Sequence, residues 1–310
     1  MNRSDNGVKQ GLVKGAKTFV WLLKLLIPIS LGVALLEWSG WLNQAEFILK
    51  PFMALLSLPS QAALPLVIGI AAGPVSCLAA MVVLPLTKAQ MTLLAIFVLI
   101  CHGLTMEAIV QVKAGYNPIK AVVFRLIAAV VTVMAVAPFL DTGETAAAAL
   151  QAGEQVSQAL GPMLLGWLAD MVGLTAKLLV LIMVFMVVLE VVRVRGWIDP
   201  LVRFLSPVLR ALGLSPRVGV LWVTAAVFGL AFGAALLVEE ANSGRVDPEE
   251  LEALHLSIGI NHGLLDDPAL FLALGLNPFW LYIPRLLAAV AAVRLLAWWR
   301  AWRVRVGQPG

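Results

Sequence analysis

Residues 101–125 and 261–285 carry the same punctuation 160 positions apart. His102, Gly103, Gly115, Asn117, Pro118 and Arg125 match His262, Gly263, Gly275, Asn277, Pro278 and Arg285. Beyond each arginine, Leu126, Ala128, Ala129 and Val130 continue against Leu286, Ala288, Ala289 and Val290. A gapless register of that length reads as one structural unit present twice. Few sequence features constrain a fold as much, because every element assigned in one copy has a counterpart in the other.

The solvent of that unit follows from its apolar content. Hydrophobic residues make up 61% of the chain, charged residues 13%, and the mean hydropathy is +0.94. Soluble domains hold roughly 45–50% and 25%. Several apolar stretches reach the roughly 20 residues that cross a bilayer as a helix. The chain reads as an integral membrane protein, with the lipid bilayer as its first partner. Its net charge of +4 comes from Lys and Arg near span ends, which speaks for orientation and against nucleic acid. Cys77 and Cys101 lie in apolar runs without CxxC spacing, so neither a disulfide framework nor a zinc site is expected. No cofactor is expected either. The first apolar run lacks a small-residue cleavage site after it and reads as a retained span.

In chain order, a first span is expected from about Lys17 to Trp38, then an amphipathic interfacial stretch from Ser39 to Ser57. Gln61 to Leu86 is apolar but interrupted by Gly69, Gly73, Pro74 and Ser76. Such interruptions survive in a membrane only where protein or a wet cavity satisfies the freed backbone. Thr87-Lys-Ala-Gln90 is a capping box for a helix to His102. A shorter helix to Lys113 follows, and Asn117-Pro118 opens the last helix, to about Leu140. Residues 141–161, with three acids and no base, are the expected linker between a first repeat at 1–140 and a second at 162–310. The second repeat has a span from about Leu164 or Val172 to Val194 and an interfacial piece from Gly196 to Leu214. Arg217 to Glu240 follows, with Gly229 and Gly233 standing for Gly69 and Gly73, and Asp247-Pro-Glu-Glu250 caps the next helix.

Charge sets how the copies sit. After its first span, copy one carries only Lys50, whereas copy two carries Arg193, Arg195, Arg203, Arg210 and Arg217. Around the Asn-Pro turn the bias reverses, with Lys113, Lys120 and Arg125 against Arg285 alone. Basic loops stay cytoplasmic, so equivalent loops fall on opposite faces. The expected fold is all-α: a polytopic membrane protein of two inverted helical repeats. Inversion needs an odd number of crossings per copy, which makes Gln61–Leu86 and Arg217–Glu240 re-entrant hairpins broken at their glycines. Both termini then lie in the cytoplasm of a bacterial cell and the linker outside its cytoplasmic membrane.

The chemistry collects at the two His-Gly steps. A straight helix from Pro248 to Gly275 would be roughly 42 Å long at 1.5 Å per residue, against about 30 Å of hydrocarbon. Breaks are therefore expected at His262-Gly263 and His102-Gly103, where freed backbone groups make transporter sites. Asp267-Pro268 would restart the second helix with Asp267 as N-cap, and Thr105 would cap the first, with Glu107 as the carboxylate corresponding to Asp267. Asp266 lacks a capping role, and intramembrane carboxylates are functional by default. Candidate site residues are Gly73, Ser76, His102, Glu107, Asn117, Gly233, Glu239, Glu240, Asn242, His262, Asp266, Asp267 and Asn277. Any metal would use His262, Asp266 or Glu240. Several have plainer roles: helix packing for the histidines, caps for Asn117 and Asn277, and solvated loop acids for Glu239 and Glu240. Arg125 and Arg285 read as helix-end anchors, with the holding of an anion as their alternative role.

The paired Gly-x-x-x-Gly segments, the His-Gly-Leu steps, Glu239-Glu240 and the Asn-Pro…Arg-Leu endings resemble the Gate, or nucleoside-recognition, membrane proteins. Related units occur in concentrative nucleoside transporters and in the membrane part of the ferrous-iron transport protein B. The resemblance implies a transport-type fold without implying a nucleoside. No Gly-x-x-x-x-Gly-Lys-Ser/Thr loop is present, so nucleotide energy is unsupported. The expected function is a secondary transporter or permease for a small polar or ionic solute, with a mid-membrane site between the repeats and coupling to protons. An intramembrane enzyme using His262 and Asp266 is the alternative, although His-Glu-x-x-His and Gly-x-Ser-x-Gly are absent. A lipid-handling or structural module is the third. A second copy of the chain is a candidate partner.

Overall fold

The computed structural model describes residues 3–40, 50–141, 159–227, 236–241, 243, 244 and 246–306, all of whose regular elements are helical. Helices α1 (Arg3–Trp38), α2 (Ala63–Ala72), α3 (Pro74–Met81), α4 (Lys88–Cys101), α5 (Leu104–Lys113) and α6 (Pro118–Val136) come first. They are followed by α7 (Leu160–Val194), α8 (Ile198–Phe204), α9 (Ser206–Ala211), α10 (Pro216–Val227), α11 (Pro248–Asn261), α12 (Asp266–Leu272) and α13 (Pro278–Val306). Among the described residues four helices are long and apolar enough to cross a membrane: Gly7–Trp38, Pro118–Phe139, Leu160–Val194 and Pro278–Arg303. Their outward faces expose Val20, Trp21, Ile127, Val131, Val180, Val184, Leu287 and Leu295, apolar surface that suits lipid rather than water.

Local chemistry accounts for the starts. Thr87 and Gln90 form the expected capping box, each accepting from the other's backbone N–H. Asp247 accepts from Glu249 N, Asn117 from Ile119 N and Lys120 N, and Asn277 from Phe279 N. Two starts fall earlier than expected. The first long helix begins at Arg3 rather than near Lys17, and α7 begins at Leu160, within the tail of the assigned linker. In α1 the added turns are a polar stretch whose Gly7 and Gly11 pack against Val191 and Val187 of α7. Residues 41–49, 142–158, 228–235, Asn242 and Arg245 lie outside the described residues. Much of the first interfacial stretch, the linker, the second Gly-rich turn with Gly233, and Asn242 therefore lie outside the description.

Two packing relations set the frame. Helices α1 and α7 run antiparallel, with Gly7, Gly11 and Gly15 against Val191, Val187 and Met183. A Cβ at Gly11 would lie 2.6 Å from Val187 Cα, so the backbones touch where only glycine fits. Lys14 pairs with Glu190 at 2.6 Å at one end of this contact, and Trp167 Nε1 donates to Ser30 Oγ at the other. Helices α2 and α3 fold back on each other about Gly73: a Cβ at Gly69 would lie 2.8 Å from Cys77 Cβ, eight residues on, which no continuous helix allows.

The remaining helices can be oriented by their contacts. Lys120 pairs with Glu252, and Arg125 Cδ packs on Gly259, so α6 and α11 run side by side in the same direction. Phe139 stacks on Trp280 with ring centroids 6.1 Å apart, so α13 starts where α6 ends. It returns to the start of α11, where Arg300 pairs with Glu252. One end of the bundle thus gathers Lys113, Lys120, Arg210, Arg217 and Arg300; Lys88 stands at the opposite end, beside Gly275.

Candidate functional site

Two apolar helices, α4 and α11, stop near the middle of the bundle. Helix α4 ends at Cys101, with His102 extended and Gly103 at φ +63; α11 ends at Asn261, with His262 extended and Gly263 at φ +55. A left-handed residue right after the histidine is one that glycine adopts without penalty. The last carbonyls of each helix are left over, and an apolar medium makes them costly to leave unpaired.

Two buried arginines take them up. Arg125 donates from Nε to Ile100 O at 2.8 Å and from Nη2 to His102 O at 2.7 Å. Arg285 donates to Ile260 O and, from Nη2, to His262 O at 3.0 Å and to Leu99 O at 3.2 Å. Each guanidinium is a cation set at a helix C-terminus, where the backbone dipoles favour it. The expected helix-end anchors are therefore corrected: Arg125 is 2% and Arg285 0% exposed. Sequence reasoning missed this role because a base one or two turns after Asn-Pro reads as interfacial. The constant spacing of 23 residues to His102 and His262 was the available signal.

The breaks bring their histidines together. His102 Nε2 and His262 Nε2 are 2.9 Å apart. Each ring also faces the carboxylate that follows the other's break: His102 Nε2 lies 3.0 Å from Asp267 Oδ2, and His262 Nδ1 lies 2.8 Å from Glu107 Oε1. Glu107 in turn pairs with Arg125. The ring protons can be assigned from the acceptors they face. His102 Nδ1 is 3.0 Å from Val98 O, and His262 Nδ1 faces Gly259 O at 3.2 Å as well as Glu107, so both Nδ1 atoms carry hydrogen. In the neutral rings both Nε2 lone pairs would then point at each other. A proton between the rings resolves the conflict, whereas a metal ion, bonded at about 2.0–2.1 Å to each nitrogen, would first have to move the two rings apart. His102, His262 and Asp267 offer three donor atoms within 4.8 Å of one another.

This changes the expected roles. Asp267 is not the N-cap of α12: the helix begins at Asp266 with Leu265 before it, and the Asp267 carboxylate is drawn across to His102. Of the residues expected to hold a metal, His262 is in the donor group, with Asp267 in place of Asp266. Asp266 is adjacent, and its Oδ1 finds no hydrogen-bond partner among the described residues. Both aspartates border a cavity of about 120 Å³ also lined by Trp21, Leu22, Leu181 and Phe185 of α1 and α7. Glu240 pairs with Arg217 at 2.5 Å and Glu239 is exposed, so the described contacts give these acids another setting than the histidine pair. Asn117 and Asn277 are exposed helix caps at opposite ends of the bundle. Ser76 is buried and donates to Ala72 O, steadying the fold-back at Gly73. Gly103 occupies the N-cap position of α5, and the Thr105 side chain lies outside the description.

Residues 19–140 match the Gate family, described as nucleoside recognition. That stretch runs from α1 past the end of α6 and includes the first break with His102, Glu107 and Arg125. Across 299 residues the chain is 27% identical to the uncharacterized membrane protein YvoD of Bacillus subtilis (strain 168), covering 94% of this chain and 95% of that protein. The relative thus spans both breaks. No solved structure matches. The protein is a helical membrane protein whose first half carries a Gate match.

Proposed function

We propose that the chain is a secondary transporter for a small polar or ionic solute, built of two inverted copies of one unit and lodged in a bacterial cytoplasmic membrane. The substrate site is the point where the two broken helices meet, and a proton taken up by the histidine pair couples solute movement to the pH gradient. The observation that carries the reading is the reciprocal contact: each half supplies one imidazole to its twin and one carboxylate to the other's imidazole. Static packing needs no such exchange, whereas a site that must be remade when the halves rock does.

Inversion is supported by direction. The corresponding helices α1 and α7 run antiparallel, as do α6 and α13. In this reading the α2–α3 hairpin is re-entrant, and the end bearing Lys120, Arg210 and Arg300 is cytoplasmic with both termini. The test is flux in proteoliposomes loaded with a pH dye and presented in turn with nucleosides, organic anions and divalent cations. At least one class should drive proton movement. His262→Ala and Asp267→Asn should lower that signal more than 10-fold while keeping the wild-type gel-filtration profile. Folded protein giving background flux with every class overturns the proposal.

A further inference from the structure

The two halves differ chemically on the way out from the histidine pair. On the side of Glu107, α5 and α11 place Gln111 and His255 around a cavity of about 10 Å³ whose wall also includes Glu107 and Gly259. That volume is about one water. Gln111 is 6% and His255 3% exposed, and His255 Nε2 has no hydrogen-bond partner among the described residues. His255 stacks on Tyr116 with ring centroids 5.2 Å apart, and the Tyr116 hydroxyl is likewise without a partner there. Beyond Tyr116 stand Lys120 and Glu252, at the end of the bundle that gathers the bases. Polar groups thus follow one another from His262 through Glu107 to the surface, and buried polar atoms of this kind are ordinarily satisfied by water.

The corresponding positions of the other half carry none of these side chains, and the cavity of about 120 Å³ beside Asp266 and Asp267 opens instead toward α1 and α7. At the positions 160 residues away, Gln111 becomes Phe271, Tyr116 becomes Leu276 and His255 becomes Ala95. Phe271 and Ala95 are 0% and Leu276 3% exposed, all within the apolar core. Only the carboxylates, Glu107 and Asp267, are kept on both sides.

We propose that Glu107, Gln111, His255 and Tyr116 line a water-bearing access route joining the histidine pair to the basic end of the molecule. The corresponding positions of the other half, Ala95, Phe271 and Leu276, are apolar and packed. The inference rests on reading the histidine pair as the site, and it adds the direction from which that site is reached. Water at Gln111 and His255 lets a proton or a small hydrated solute arrive at Glu107 from the face bearing Lys120.

Cysteine accessibility tests this without any transport signal. In a Cys77→Ala/Cys101→Ala background, Gln111→Cys and His255→Cys should react with a small positively charged methanethiosulfonate at least 10-fold faster than Phe271→Cys and Ala95→Cys. They should do so only when the reagent is on the face bearing Lys120. Equal rates at the paired positions, or faster reaction from the other face, overturn the proposal. Hydroxyl-radical footprinting of the unaltered protein repeats the test if the variants do not fold: oxidation at Tyr116 and His255 should exceed that at Phe271 by about 10-fold, and parity refutes the route. A labelling pattern as expected with no flux for any solute would instead count against the transport function alone.

Discussion

Arg125 shows how much of the site rests on one side chain. It holds two carbonyls at the end of α4 and the buried carboxylate of Glu107, so removing it strands three acceptors in an apolar interior. Breaking a buried ion pair from one side costs about 3–5 kcal/mol. Arg125→Leu should therefore lower the melting temperature in detergent strongly, whereas Arg125→Lys keeps the charge, loses the fork and should fall between. The two break glycines should separate in the same assay. A Cβ at Gly103 meets nothing within 4 Å, so Gly103→Ala bears only the left-handed backbone cost of about 1–2 kcal/mol. At Gly263 the Cβ would sit 1.9 Å from Asp267 Oδ2, so Gly263→Ala must also push that carboxylate off His102. It should be the more damaging of the two; equal melting temperatures would contradict the geometry.

The elements themselves were largely legible in the chain. Thr87 with Gln90, Asp247 with Pro248 and Asn117 with Pro118 announce helix starts through side chains that bond locally, and the helices start there. The breaks were readable too, because a single α11–α12 helix would be too long for the bilayer and glycine follows each histidine. What could not be read is whatever depends on another element. Asp267 before Pro268 has the look of a cap, but its partner comes from α4, and no local pattern names it. The depth of Arg125 and Arg285 follows from α6 and α13 crossing the breaks, which spacing alone does not disclose. The α1–α7 contact is similar: Gly7, Gly11 and Gly15 are visible, their partners are not. Gly11→Ala should force the two backbones apart and destabilise, because its Cβ meets the Val187 backbone at 2.6 Å. Gly32→Ala, with nothing within 4 Å, should be neutral or stabilise by up to about 1 kcal/mol. Thermal melting of the two variants side by side checks the contact.

Across the whole molecule, the spread of charge makes a sidedness prediction. Single cysteines replacing Lys120 and Arg300 should be labelled from one face of sealed vesicles, and one replacing Lys88 from the other; all three from one face would contradict the helix directions. The shared histidine contact carries a genetic consequence as well. Neither half holds a complete set of partners for its own ring, so a gene severed between codons 141 and 159 should yield two fragments that are each unstable alone. Produced in the same cell, they should find one another and co-purify, two incomplete polypeptides restoring the protein by complementation.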